Sequence, residues 1–496
     1  MLFDIFTNPE LKRNAWIELR PNRIWAMLGL MAFVFVFANT AFVNQYTPAN
    51  EVMMNTSLSV FYFLVAVWGT KNAADAVAEE INQKTWDRQR MSGQNPWTLT
   101  LGKLFGPTLF QWLGGLLAML VYFAAALNSP KAGDMLLAGL IHLGLGLMAN
   151  MLALLLSLLN ITGNAQSSFS HSKINTTLFF ILAIVTVAWL FGILLSLGYE
   201  SGAITWFGIV WNKLTIFISL LIFIAWSMIG IHQNLRTELQ YRNKAGYWIA
   251  FLAFVAIYFY GFMFNDGEWD ETLRKTIYHA PKMSFTTSMY YHLLFISALF
   301  FGITQFLLLI ERKAEDEYRS FIEQLRTLQW RKLWVEAPLW FSSLLAFIVC
   351  LIAMILLQAF DMKELSNFVK DALHGRSRYA LAAPENVSQA PTIGSLEVIL
   401  CYASTLLLLL RDIFVTRYLL YKTKFKNRLL VIAIYYVIVY WAIPGLFMVG
   451  NGDEYNVIAV FLPFYAAFAW TSFIALFIQA GAAWWWHKYT FLNDSE

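Results

Sequence analysis

Long apolar runs separated by short polar joints make up most of this chain. A run of roughly 17–25 apolar residues suffices to cross a bilayer as a helix. Twelve such runs occur, near 24–43, 57–78, 104–127, 135–158, 175–198, 210–231, 246–264, 289–310, 338–358, 396–416, 429–449 and 456–480. The second loses its clean apolar character near Gly69 and is expected to continue as a helix through Ala73–Ala78 beyond the apolar layer. Two polar stretches interrupt the pattern. Glu79–Lys103 follows the second run, and Glu311–Pro338 follows the eighth. In the latter, Tyr318, Phe321, Ile322, Leu325 and Leu328 recur at helical spacing among Glu315, Arg319, Glu323 and Arg326, which predicts an amphipathic helix within 311–337. Ahead of the first run, residues 3–20 predict a helix lying on the membrane. Asn8 can cap it, Pro9 suits its first position and Glu10 its positive end. Leu11, Ala15 and Leu19 share one face, Lys12, Arg13, Glu18 and Arg20 lie elsewhere, and Trp16 and Trp25 suit the aromatic belt.

The pattern repeats after about 220 residues. Glu18-Leu19 before the first run and Glu238-Leu239 before the seventh are each followed by a basic cluster and then by Trp25 or Trp248. The expectation is an all-α polytopic membrane protein of about twelve transmembrane helices in two parallel six-helix halves, 1–232 and 233–496. Composition agrees, since only 13% of residues are charged, about half the share of a soluble domain. A net charge of +4 is too small to suggest a nucleic-acid partner, so none is expected, and lipid is the expected solvent. With both termini in the cytoplasm, 26 of the 35 Lys and Arg fall on the cytoplasmic side, the bias expected of an inner membrane protein. Asn265–Ser288 and Phe360–Ser395 are the longest outer loops, with a surface helix expected over Asp361–His374. Cys350 and Cys401 lie inside apolar runs as small core residues.

Chemistry-bearing signals are few. No GxxxxGK[ST] loop, HExxH or Cys/His metal spacing occurs, so no cofactor or metal is assigned and the chain is not expected to be an enzyme. Lys71, Asp75 and Glu79, at i, i+4 and i+8, share a helix face, either as a self-paired charge row or as the lining of a translocation path. His142 stands mid-run, as a packing histidine or a proton relay. Arg411-Asp412 are neighbours in sequence and are expected to need separate partners, with Arg411 as a snorkelling anchor. Trp484-Trp485-Trp486-His487-Lys488 reads as an interface anchor. Two other classes compete with a transport subunit. A twelve-span ion-coupled transporter shares the topology, but His142 is the only ionisable residue expected at mid-span. A membrane-embedded glycosyl- or lipid-modifying enzyme needs outer carboxylates, which Glu51 and the Asp266, Glu268, Asp270, Glu271 group would supply.

The stretch 79–103 resembles the type-2 ABC transporter permease family, whose pattern after the second span resembles E-x3-G-T-x-[ED]-x-[LQ]…[ST]-P…G-K. Glu80, Thr85, Asp87, Gln89, Gly102 and Lys103 stand here in that order. Lys84 replaces a common Gly, and Gly93 replaces a common Pro, with Pro96 three residues later. The resemblance implies that the chain is the permease subunit of an exporter and that a separate P-loop ATPase, binding as a dimer, hydrolyses the ATP. It also implies a short coupling helix within Thr85–Pro96. Lys84, Arg88 and Arg90 would make salt-sensitive contacts to the ATPase, and Trp86 and Met91 apolar ones.

Overall fold

The computed structural model describes residues 8–91, 93–161, 176–199, 205–239, 241, 246–263, 285–310, 315–329, 337–360, 395–421, 428–442 and 469–492. Most of these residues are helical, and the strand pairing among them is a two-residue one, Thr205–Trp206 with Ile209–Val210. Seven of the described helices are long and apolar enough to cross a membrane, so the protein is an all-α polytopic membrane protein. Contacts divide it into two compact units. The first takes in Met1–Lys244, the second Ala245–Glu311 and Glu315–Glu496.

In the first unit, α1 is Pro9–Glu18 and α2 Pro21–Phe42. The helix α3 runs unbroken over Ala49–Asn82, well past Gly69, and carries a wider π segment at Tyr62–Gly69. Then come the short α4, Trp86–Arg90, and α5, Pro96–Phe105. The long helices α6, Leu109–Leu127; α7, Ala132–Ile161; α8, Thr177–Tyr199; and α9, Lys213–Glu238, complete the unit. The expected cap of α1 forms: Asn8 Oδ1 accepts from the amides of Glu10 (3.0 Å) and Leu11 (3.4 Å). Residues 1–7, the start of the expected 3–20 helix, lie outside the described residues.

Glycines set how closely these helices approach. Gly115 of α6 faces α3, and a Cβ there would stand 2.3 Å from Val65 Cγ2. Gly146 of α7 meets Phe61 in the same way. Polar pairs then stitch α3 to α7: the Tyr62 hydroxyl to His142 Nδ1 (2.5 Å), Thr70 Oγ1 to Asn150 Oδ1 (2.8 Å) and Ser157 Oγ to the Ala74 carbonyl (2.7 Å). Residue numbers rise together on both helices, so they run parallel, with α6 as the return crossing.

The second unit holds α10, Gly246–Met263; α11, Phe285–Ile310; the amphipathic α12, Glu315–Arg326; α13, Leu339–Phe360; α14, Ser395–Tyr421; α15, Arg428–Val437, extended by a π segment at Ile438–Ala442; and α16, Ala469–Leu492. Tyr318 and Phe321 of α12 are buried, but Leu325 and Leu328, expected on the same face, are exposed, and Leu328 falls past the end of the helix in left-handed backbone. The last helix continues past the expected end at 480 as far as Leu492, with Trp484–Trp486 and Tyr489 exposed on it, and the first part of the expected 456–480 run lies outside the described residues. The Asp361–His374 expectation and most of both outer loops lie outside the described residues.

The turn between α3 and α4 places a lysine where the backbone favours glycine. Lys84 has φ +59°, left-handed backbone that an L side chain resists by about 1–2 kcal/mol and that Gly enters freely. Lys84→Gly removes that strain and returns about 0.5–1 kcal/mol to unfolded-chain freedom. The expected outcome is a net gain of roughly 0.5–1 kcal/mol, seen as a higher thermal midpoint in detergent.

Candidate functional site

Four elements of the first unit converge on Lys103. Its ammonium donates to Glu80 Oε2 of α3 (2.5 Å) and to Glu10 Oε1 of α1 (2.9 Å). It also lies 5.6 Å from the ring centre of Trp86 in α4. Arg13 Nη2 bridges the same two carboxylates, to Glu10 Oε1 at 2.7 Å and Glu80 Oε1 at 3.0 Å. Gln89 Nε2 of α4 donates to Glu80 Oε1 at 2.9 Å. Two cations and two carboxylates thus form a neutral set. Lys103 is 1% exposed and the Glu10 side chain 5%. Desolvating such ions costs several kcal/mol each and is offset only when pairing is complete, as it is here.

Local sequence makes the convergence possible. Gly102 of α5 and Gly106 at its C-terminal cap, one turn apart, let α1 lie against it. A Cβ on Gly102 would fall 2.7 Å from Glu10 Cβ and Cγ, and one on Gly106 2.3 Å from Asn14 Nδ2. Asn8 Nδ2 donates to the Thr98 carbonyl (2.7 Å), a second tie between α1 and α5. On the α4 side, the Thr85 amide and hydroxyl both return to the Glu80 carbonyl, at 2.8 and 3.2 Å.

The residues singled out in the sequence are therefore partly gathered. Glu80, Gly102 and Lys103 are brought together, with Thr85 closing the turn beside them. Lys84, Asp87 and Arg88 face outward. Arg90 has only a long contact to Asp87, 3.8 Å. Trp86, expected to offer an apolar contact to a partner, is turned inward and 3% exposed, packed with Ala73, Val77, Leu99 and Leu235. Met91, 79% exposed, is the apolar residue that α4 displays. Lys71 and Asp75 pair at 2.5 Å, and both bond the Thr176 hydroxyl. Glu79 leaves that row and takes Gln83 instead (3.0 Å). His142, the other candidate for a translocation path, is held by Tyr62 on a different stretch of α3 and does not join Lys71 and Asp75 in one cluster.

Two features escaped the sequence reading. Glu10 was assigned to the positive end of a helix, yet its carboxylate reaches across 93 positions to Lys103. In the second unit, Arg411 and Asp412 bond each other: Arg411 Nε and Nη2 donate to Asp412 Oδ1 at 3.0 and 2.9 Å. This corrects the expectation of separate partners and of a snorkelling arginine. Adjacent helical positions diverge at Cβ, but the arginine stem is long enough to fold back. Asp412, fully buried, also accepts from Gln305 Nε2 of α11 (2.8 Å) and from the hydroxyls of Tyr435 (2.7 Å) and Tyr440 of α15 and its extension. Arg411 Nη1 donates to Gln479 Oε1 of α16 (2.8 Å). The pair sits near the middle of the apolar span Ile399–Leu419, so His142 is not the only ionisable residue at mid-span. A single clue was available: an acidic residue inside an apolar run needs internal partners.

No family model, no curated protein and no solved structure matches the chain. Among the described residues no group of His, Cys, Asp and Glu is arranged to hold a metal.

Replacing Lys103 by Met leaves Glu10 and Glu80 sharing one site with Arg13 alone. Loss of one partner from a buried ionic set costs about 3–5 kcal/mol. Lys103→Met should lower the thermal midpoint sharply in detergent, and the neutral triple variant Lys103→Met, Glu10→Gln, Glu80→Gln should recover most of it.

Proposed function

We propose that this chain is the membrane-spanning permease subunit of an ATP-driven exporter. It would have about twelve spans in two six-helix halves, sit in a bacterial cytoplasmic membrane with both termini in the cytoplasm, and be powered by a separate P-loop ATPase dimer. One observation carries the reading. Glu80 and Lys103, at opposite ends of the family-like stretch, meet in a single buried ionic set that also holds α1 and, through Trp86 and Gln89, α4. The stretch is therefore a rigid lever and not a loose loop. A soluble partner pressing on Lys84, Asp87, Arg88 and Met91 would move α1, α3 and α5 together. Such a push needs contacts that differ between the partner's states, and exposed charges with one exposed apolar residue are suited to making and breaking them. The chain itself performs no covalent chemistry and binds no nucleotide. Co-purification should recover an ATPase bearing a P-loop, and an Arg88→Glu, Met91→Ser variant should lose it while keeping its own melting temperature. Transport by the purified chain alone on an ion gradient would overturn the reading.

The Arg411–Asp412 network favours one alternative, an ion-coupled transporter, because buried intramembrane carboxylates mark ion and proton paths. Under that reading Asp412→Asn abolishes gradient-driven uptake in proteoliposomes with no nucleotide present. Under the permease reading, transport needs the ATPase and nucleotide before and after the substitution.

A further inference from the structure

The helix α1 has two faces, and the ionic set accounts for one. Glu10 and Asn14 turn toward α5. Lys12 and Trp16, four residues apart and so on one stripe, turn away, and Trp16 is 90% exposed. Across the joint into α2, Arg20 and Trp25 are exposed as well, Trp25 at 72%. Arg23 nearby is paired with Glu18 at 3.1 Å. Among the described residues neither Lys12 nor Arg20 has a side-chain partner.

Height is set by α2. Trp25 stands in its second turn, at the start of an apolar span, so the patch lies at the boundary between hydrocarbon and headgroups. Indole rings settle at that boundary. Cations there are drawn to anionic headgroups, each contributing on the order of a fivefold gain in binding. A zwitterionic headgroup would suit the rings and leave both cations without a net counter-charge. A soluble acidic protein would suit the cations and leave Trp25, on a membrane span, unused.

We propose that Lys12, Trp16, Arg20 and Trp25 form a binding surface for the headgroup of an anionic phospholipid in the leaflet where α2 begins. The helix α1 is then clamped between that headgroup and the Glu10–Lys103 set. The inference stands apart from the transport reading, since it needs only that α2 spans the membrane.

The test uses the full-length chain in detergent, titrated with phosphatidylglycerol or phosphatidylcholine and followed by native mass spectrometry. Phosphatidylglycerol should bind the wild type more tightly than phosphatidylcholine. In Lys12→Gln, Arg20→Gln its affinity should fall roughly 30-fold, with phosphatidylcholine unchanged. The charge-preserving Lys12→Arg, Arg20→Lys variant should bind as the wild type does, which separates charge from folding. Lys131→Gln, an exposed cation elsewhere in the unit, should have no effect. Excess glycerol phosphate should not displace the lipid. Equal binding of the two lipids to the wild type, an undiminished phosphatidylglycerol affinity in the double Gln variant, or displacement by glycerol phosphate would each overturn the proposal.

Discussion

A lysine in a nearly anhydrous site is stable only if its charge is answered at once, and Lys103 is answered twice. Glu80 and Glu10 approach it from different helices, and Arg13 then neutralises the surplus carboxylate. Lys103 and Glu10 depend on the set most, because removing either leaves a net charge in a place with little water to shield it, whereas Arg13, half exposed, closes the set from the solvent side. This mutual need ties together elements that are far apart in sequence. It explains why α1, which has no long apolar face, is ordered against the unit, and why α5 carries Gly at both positions where α1 crosses it.

The second unit answers the same physical problem with different groups. Asp412 is saturated by an arginine from the adjacent position, a glutamine and two tyrosines. Arg417, also on α14 and 1% exposed, lies between the Tyr318 and Trp340 rings at 5.5 and 5.3 Å. An aromatic from the amphipathic segment thus rests against a buried cation in both units: Trp86 on Lys103 in one, Tyr318 on Arg417 in the other. The shared device is chemical, since the two cations stand at unrelated places along their units.

Helix formation was legible wherever apolar length or a cap dictates it. Among the described residues, seven of the runs became helices long and apolar enough to cross a membrane, Asn8 capped α1, and Tyr318 and Phe321 of α12 are covered while Leu325 and Leu328 on the same spacing are not. Partner choice was less legible. Nothing in local spacing says that Glu10 will find Lys103, or that Trp86 will face inward while Met91 faces out. Those outcomes follow from how α1, α4 and α5 fold over α3, and even Glu80 and Lys103, which stand in one resembled pattern, carry no sign in sequence that they pair. Arg411-Asp412 failed for another reason: helical geometry predicts where Cβ points, not how far a flexible stem can return.

The parallel pairing of α3 and α7 has a mechanical consequence. Hydroxyl, imidazole and amide groups join the two helices at three heights, each wholly or partly buried, where few substitute partners are at hand. Axial slippage by a single residue would strand the groups at all three heights together. The pair is therefore stiff against shear, and a rearrangement of this unit that keeps these bonds carries α3 and α7 as one strut.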